Sequence, residues 1–121
     1  MKITDIIKSK SAVLSFEVFP PKTDDKFESV AEAVDKIAAL KPDFMSVTYG
    51  AGGGTSEYTV KISRHIKQLG VNSVAHLSCI SSTRRDVQDK LLQLKEAGIE
   101  NILALRGDIP KDFEGNLEYS Y

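Results

Sequence analysis

The sequence is poor in cysteine, in net charge and in long apolar runs. Its single cysteine, Cys79, excludes an internal disulfide framework and fits a reducing compartment. The 16 basic and 17 acidic residues give a net charge of −1, and the basic residues are scattered, so we expect no nucleic-acid partner. Residues 1–16 interrupt every apolar stretch with Lys, Asp or Ser, which predicts neither a signal peptide nor a membrane-spanning helix. We therefore expect a cytoplasmic protein with no membrane partner.

The composition that is present is typical of one soluble globular domain, with 121 residues, 41% of them hydrophobic and 27% charged. Four short apolar runs end in polar residues and predict buried strands. Their centres, Phe16, Val47, Ala75 and Ala104, recur every 28 to 31 residues. One strand–helix unit is thus repeated, which predicts a βαβ series with a parallel sheet. The four runs cover residues 12–19, 43–50, 72–79 and 101–108.

Three stretches between these runs have helical period. In the first, an apolar face extends from Phe27 to Ala38, with Thr23 or an adjacent Asp as the predicted N-cap. The second runs from about Ser56 to Leu69 and stops at Gly70. The third carries Val87, Leu91 and Leu94 on one stripe, with Thr83 as the N-cap and Gly98 in the left-handed position after the last turn.

Two α/β architectures accept such a series, an open doubly wound sheet and a (β/α) barrel, and both place ligands at the carboxyl ends of the strands. A doubly wound nucleotide fold usually has a glycine-rich turn after its first strand, and the turn here is FPPKTDD. That difference favours the barrel. A closed barrel needs eight strands, so the four here predict either a half-barrel or the front part of a longer protein, and we favour the second.

If all four strands are parallel, their polar ends meet at one edge of the sheet. Glu17 stands between Phe16 and Phe19 before two prolines, and a desolvated carboxyl there would keep its proton near neutrality, as a general acid requires. The alternative is a rim carboxylate paired with Lys22. The residues that we expect at this edge are Glu17, Thr48, Tyr49, His76, Arg106 and Asp108.

Each of the other members also has a structural alternative. Thr48 is commonly a strand residue bonded to backbone, and a lone histidine such as His76 is commonly a satisfied core residue. His76 and Cys79 have no second metal-binding pair, so we expect no metal site. The glycine between Arg106 and Asp108 suits a ligand that approaches the backbone closely, whereas the alternative is a helix-entry turn capped by Asp108.

The loop GAGGGT at residues 50–55 is glycine-rich but is not a phosphate-binding motif. It lacks the Lys-Ser/Thr ending of a P-loop, and Thr55 stands where the dinucleotide fingerprint has glycine. Its glycines allow close approach of a planar ligand. Alternatively it is a mobile loop in which Thr55 or Ser56 caps the next helix.

Four motifs in this order resemble those of the methylenetetrahydrofolate reductase family: SFEVFPPK, SVTYGAGGGTSEYT, AHLSC and NILALRGDIP. The resemblance covers residues 11–121. It implies the N-terminal half of a (β/α)8 TIM barrel over residues 1–121, with FAD at the carboxyl ends of the strands. It also implies reduction of 5,10-methylenetetrahydrofolate to 5-methyltetrahydrofolate by NADH or NADPH, which supplies methionine biosynthesis.

The resemblance also implies roles for individual residues. Glu17 matches the family's general acid, which protonates the departing nitrogen when the folate ring opens. Asp108 matches the aspartate beside the flavin, where its charge stabilises a cationic iminium and tunes the flavin potential. The remaining implied cofactor-binding residues are Thr48 and His76 on the flavin and its chain, Arg106 and Gly107 near the cofactor's polar backbone, and Tyr49, Gly50 and Ala51 in the adjoining loop.

The glycine loop departs from the family pattern. The family's loop commonly continues with Ser and then an acidic–basic pair, whereas this chain has Gly54 and the pair Glu57–Tyr58.

The function of the isolated chain has two interpretations. We expect the isolated chain to bind FAD weakly and to lack turnover. The alternative is a non-catalytic flavin- or folate-binding half-barrel completed by a partner or by self-association. Exposed edges on strands one and four would favour a homo-oligomer.

Overall fold

The computed structural model of the chain describes residues 1–49, 56–80 and 82–107. Its centre is a single four-stranded sheet in which every neighbouring pair is parallel. The strand order β1-β2-β3-β4 follows the chain, which confirms the predicted βαβ series. Each strand lies inside its predicted run, and the bounds are Ser15–Val18 for β1, Phe44–Val47 for β2, Asn72–Ser78 for β3 and Asn101–Leu105 for β4.

Helices connect the strands where the apolar period predicts them. A short 3-10 turn, Asp24–Lys26, leads into the first of these helices. The helices are α2 at Phe27–Ala38, α3 at Ser56–Gln68 and α4 at Arg84–Glu96, and they are preceded by α1 at Ile3–Ser9. Within the described ranges, no helix has both the length and the apolar character needed to cross a bilayer.

The predicted N-caps have opposite outcomes. Thr83 is confirmed, since its hydroxyl accepts from the Asp86 backbone N–H while the Asp86 carboxylate accepts from the Thr83 N–H. The cap predicted for α2 at Thr23 or an adjacent Asp is wrong, because Asp24 and Asp25 lie in the 3-10 turn before α2 and the Thr23 side chain makes no capping hydrogen bond. Lys26 occupies the N-cap position of α2 instead.

Helix α1 has no counterpart among the predicted elements. It is only seven residues long and buries a single side chain, Ile6, so its apolar pattern is too short to be recognised. The amino end of the chain fixes it against the amino edge of the sheet. Ile3 N–H donates to Asn101 Oδ1 at 2.9 Å, and the Met1 ammonium lies 3.2 Å from Glu100 Oε2. That ammonium lowers the pKa of the Glu100 carboxyl.

One face of the sheet carries the core. Phe16 and Val18 of β1 and Met45 and Val47 of β2 point toward the helices, as alternation along a strand requires. Burying an isoleucine side chain contributes about 2 kcal/mol, so the helix residues here supply much of the stability. The buried helix residues of this cluster are Val34, Ala38, Ile62 and Ile66, and a second cluster joins Ala75 to Leu94 and Ile99.

The packing of α2, α3 and α4 on one face decides between the two architectures. A doubly wound sheet has helices on both faces and a point where the strand order reverses. Here the order is sequential and the core clusters join all three helices to the same face. The described chain therefore has the arrangement of consecutive (β/α) units of a TIM barrel. We refer to the other side of the sheet as the second face; it carries Glu17, Ser46, His76 and Leu103.

Candidate active site

Glu17 and His76 come together on the second face. The distance between His76 Nε2 and Glu17 Oε1 is 3.5 Å, although β2 lies between the strands that carry them. The side chain of His76 is 10% exposed and that of Glu17 is 52% exposed. The sequence-based expectation that these two residues meet at one edge of the sheet is confirmed. The alternative pairing of Glu17 with Lys22 is not found among the ion pairs of the described residues.

The prediction that Glu17 is desolvated is wrong for this chain, since its side chain is 52% exposed. Strand alternation turns Phe16 toward the helices, away from the carboxyl. Phe19 lies beyond the end of β1 and is 71% exposed, so it covers nothing. The immediate sequence neighbours of a strand residue face the opposite side of the sheet, which is why Phe16 does not desolvate Glu17.

Thr48 follows β2 directly and is held from both sides. Its N–H donates to the Val18 carbonyl at 3.0 Å, and its carbonyl accepts from Thr59 Oγ1 at 2.9 Å. Thr59 is 1% exposed and shares the buried side of α3 with Ile62 and Ile66. The sequence reasoning missed Thr59; the available signal was a threonine on the apolar stripe of a helix. Tyr49, the next residue along, is half-buried.

The end of β4 is fixed to the segment after β3. The Arg106 carbonyl accepts from the Ile80 N–H at 2.8 Å and from Ser78 Oγ at 3.2 Å. The Arg106 side chain is exposed, and its Nε donates to the Gly107 carbonyl at 3.3 Å. These bonds place Arg106 and Gly107 at the same edge as Thr48 and His76, as predicted.

Three predicted site residues, Gly50, Ala51 and Asp108, lie outside the described residues, as does the whole loop at 50–55. In the part of the chain that is described, no group of three His, Cys, Asp or Glu side chains is arranged to hold a metal ion.

A second polar contact, from Tyr58 to Asp24, joins the loop after β1 to the start of α3. The Tyr58 hydroxyl donates to Asp24 Oδ1, and the ring lies 6.4 Å from that of Phe27 and 5.5 Å from Lys61 Nζ. The hydrogen bond to Asp24 raises the pKa of Tyr58 to about 12. Tyr58 is one of the residues that depart from the family pattern, so this contact gives that departure a structural role.

Comparisons with known proteins agree with the resemblance in the sequence. The sequence model of a protein family described as methylenetetrahydrofolate reductase matches residues 2–120. The chain belongs to the methylenetetrahydrofolate reductase family. It is 41% identical over 100 residues to "5,10-methylenetetrahydrofolate reductase" of Pectobacterium carotovorum subsp. carotovorum, covering 82% of this chain and 34% of the relative.

Two further reductases have similar identity. For "5,10-methylenetetrahydrofolate reductase" of Escherichia coli (strain K12) it is 39% over 98 residues, covering 80% of this chain and 33% of the relative. For "Probable methylenetetrahydrofolate reductase (NADH)" of Oryza sativa subsp. japonica it is 37% over 115 residues, covering 91% of this chain and 19% of the relative. The chain thus spans about a third of the bacterial relatives' length and about a fifth of the rice relative's. These names do not favour the non-catalytic alternative.

The close packing around Gly107 predicts that a side chain at this position destabilises the fold, and the same substitution at Gly70 is the control. Both residues have positive φ, +85° and +84°, but a Cβ at Gly107 would lie 1.9 Å from Ser78 Oγ, whereas one at Gly70 would meet nothing within 4 Å. Gly70→Ala should cost about 1 kcal/mol from backbone strain alone. Gly107→Ala should cost about 1–3 kcal/mol more, because Ser78 must leave its bond to Arg106. Urea unfolding measures both; equal losses would contradict the crowding at Gly107.

The bond between Tyr58 and Asp24 predicts an alkaline transition. Because the pKa of Tyr58 is raised to about 12, the contribution of this bond to stability is complete below pH 10 and is lost as pH rises through about 12. Asp24→Ala should lower the pKa of Tyr58 toward 10, while Asp25→Ala should leave it near 12. The ultraviolet absorbance of tyrosinate, with Tyr58→Phe as the reference that isolates this ring, measures both. A Tyr58 titration that is the same in the two variants would disprove the contact.

Proposed function

We propose that this chain contributes the first four (β/α) units of a flavin-dependent reductase. The reductase converts 5,10-methylenetetrahydrofolate to 5-methyltetrahydrofolate with NADH or NADPH, and residues 1–121 form the N-terminal half of its barrel. The observation that carries the proposal is the placement of Glu17 beside His76 at the carboxyl edge of the sheet, in a chain of the reductase family. Ligands bind at this edge in (β/α) barrels, which makes it the expected position for an acid and a cofactor.

The second face has the mixed character that a flavin ring requires. Leu103 and Leu105 are 45% and 39% exposed there, so apolar surface is available to a flat ring. The imidazole of His76 lies on the same face, and Thr48 follows β2 at the carboxyl edge. FAD, when bound, would accept hydride from the nicotinamide and deliver it to the folate carbon. The residues assigned to holding FAD are Thr48, Tyr49, Gly50, Ala51, His76, Arg106, Gly107 and Asp108.

Glu17 is assigned to protonation of the folate. Opening the five-membered ring of the folate requires a proton on the departing nitrogen, and a carboxylic acid at hydrogen-bond distance supplies it. In this chain the Glu17 side chain is 52% exposed. Flavin and folate lying on the second face would exclude water from it and favour the protonated form that a general acid needs. Asp108 is assigned to stabilising the positive charge that then develops on the substrate.

The remaining parts of the proposal concern the reductant, the assembly and the location. The rice relative is named for NADH, which supports NADH as the reductant here. A homo-oligomer is proposed for the isolated half-barrel, because β1 and β4 each have one side without a paired strand in the described sheet; in the complete barrel the second half would pair with these sides. A cytoplasmic location is proposed from the single cysteine and the absence of long apolar runs.

A chimera tests the proposal through Glu17. Residues 11–121 of this chain replace the matching segment of the Escherichia coli reductase, and the two half-reactions are measured separately. Glu17→Gln should lower the rate of folate reduction about 10²- to 10⁴-fold, because only that step needs the acid. Bleaching of the flavin by NADH should keep its rate. Glu28→Gln, on the exposed side of α2, is the matched control and should change neither step.

The isolated chain provides the complementary measurement. With added FAD, NADH and folate it should show weak flavin binding and no turnover, because in this proposal the second half of the barrel supplies further contacts to FAD and much of the nicotinamide and folate site. An equal loss in both half-reactions of the Glu17→Gln chimera, or no loss in either, would remove Glu17 from the acid role.

A further inference from the structure

His76 is buried on the second face, and among the described residues the charged side chain that it contacts is Glu17. Its side chain is 10% exposed, and Glu17 Oε1 lies 3.5 Å from its Nε2. Its register partner on β4 is Leu103, which has no hydrogen-bonding side chain. On the other side, Val47 of β2 pairs with Ala75, so the residue after it, Thr48, is level with His76 and is polar but uncharged. A half-exposed carboxylate with three rotatable bonds thus lies beside a nearly buried imidazole.

We propose that His76 is the positioning residue for Glu17. The ring Nε2–H donates to Glu17 Oε1 and holds the carboxyl over β2, so that Oε2 is the oxygen presented to a ligand on the second face. The importance of this contact for catalysis rests on the proposed function, whereas the contact itself is present in the free chain. The role is additional to the flavin contact that the family resemblance implies for His76.

The distance fits a contact that shortens when a ligand binds. At 3.5 Å it is longer than an ordinary N–H···O hydrogen bond, and such contacts in ligand-free sites commonly tighten once the site is filled. An N–H that faces the carboxylate also fixes the neutral imidazole in the form with Nδ1 unprotonated. Nδ1 is then free to accept from a ligand, so the two roles of His76 use different ring nitrogens.

In this proposal His76 contributes the orientation of the Glu17 carboxyl. Strand β1 fixes the backbone of Glu17, but the carboxyl lies at the end of a flexible, half-exposed side chain. A general acid acts only when its proton lies within hydrogen-bond reach of the departing atom, and small misplacements reduce the rate strongly. A donor held within β3 removes that freedom.

The chain offers a direct test because it contains only two histidines, His76 and His65. His65 forms a matched pair elsewhere, with Nε2 2.7 Å from Asp35 Oδ1 between α3 and α2. Nuclear magnetic resonance of the full, flavin-free chain labelled with ¹⁵N at the imidazoles resolves both rings, and His65→Gln assigns them. The measured quantities are the exchange rate of each Nε2 proton with water and the shift of each Nε2.

Glu17→Ala should speed exchange of the His76 Nε2 proton about tenfold, the effect expected from losing a bond to a charged group, and should move the His76 signal only. Asp35→Ala should move the His65 signal only. Glu17→Asp, which shortens the side chain by one carbon, should give an intermediate exchange rate. Backbone amide spectra establish that each variant is folded, and Glu17 is exposed enough for these changes to leave the core intact.

A second pair of variants examines the bond from the other side. His76→Gln keeps a donor at the ε position, so the ¹³C shift of the Glu17 carboxyl should stay near its wild-type value. His76→Asn places its donor closer to the backbone, so the same signal should move to that of an unpaired carboxylate. Unchanged His76 exchange in Glu17→Ala, or equal Glu17 shifts in the Gln and Asn variants, would overturn the proposal. Because no flavin is present, failure of the reductase chimera would refute the proposed function and leave this result standing.

Discussion

The strict two-residue alternation of a parallel sheet, with every connecting helix on one side, is the constraint on which the rest of this structure depends. It turns Phe16 and Val18 toward the helices and Glu17 away from them. The same alternation through β3 puts Ala75 in the core and His76 on the second face. A slip of one residue in any strand would exchange the residues of the two faces. Burial of the apolar face therefore determines which side chains lie on the second face.

Residues that take no part in chemistry build the frame of the site. Thr59 holds the Thr48 carbonyl from the buried side of α3, and Ser78 with Ile80 holds the Arg106 carbonyl. Each of these bonds joins one strand end to a neighbouring element, so the carboxyl edge is a set of linked backbone positions. At Gly107 the frame leaves no room for a side chain. The site is therefore defined by the spacing of backbone atoms as much as by Glu17 and His76.

The order of elements could be predicted from the sequence because it depends on periodicity. Apolar runs at constant spacing gave the four strands, and the meeting of Glu17 with His76 followed from parallel strands ending at one edge. Other features depend on tertiary structure. The exposure of Glu17 depends on what covers the second face. Helix α1 is fixed by contacts with Glu100 and Asn101 rather than by a long apolar face. The N-cap predicted at Thr23 is not formed because a 3-10 turn precedes α2.

The central claim is that the carboxyl edge of this sheet binds the flavin. Amide shift mapping of the chain during addition of FAD tests it most directly, because the method registers weak binding and locates it. The account predicts changes centred on Val18, Thr48, His76 and Arg106, with Asn72 and Asn101 at the amino edge unmoved. Changes centred on the amino edge or on the outer sides of the helices, or none at saturating FAD, would contradict it.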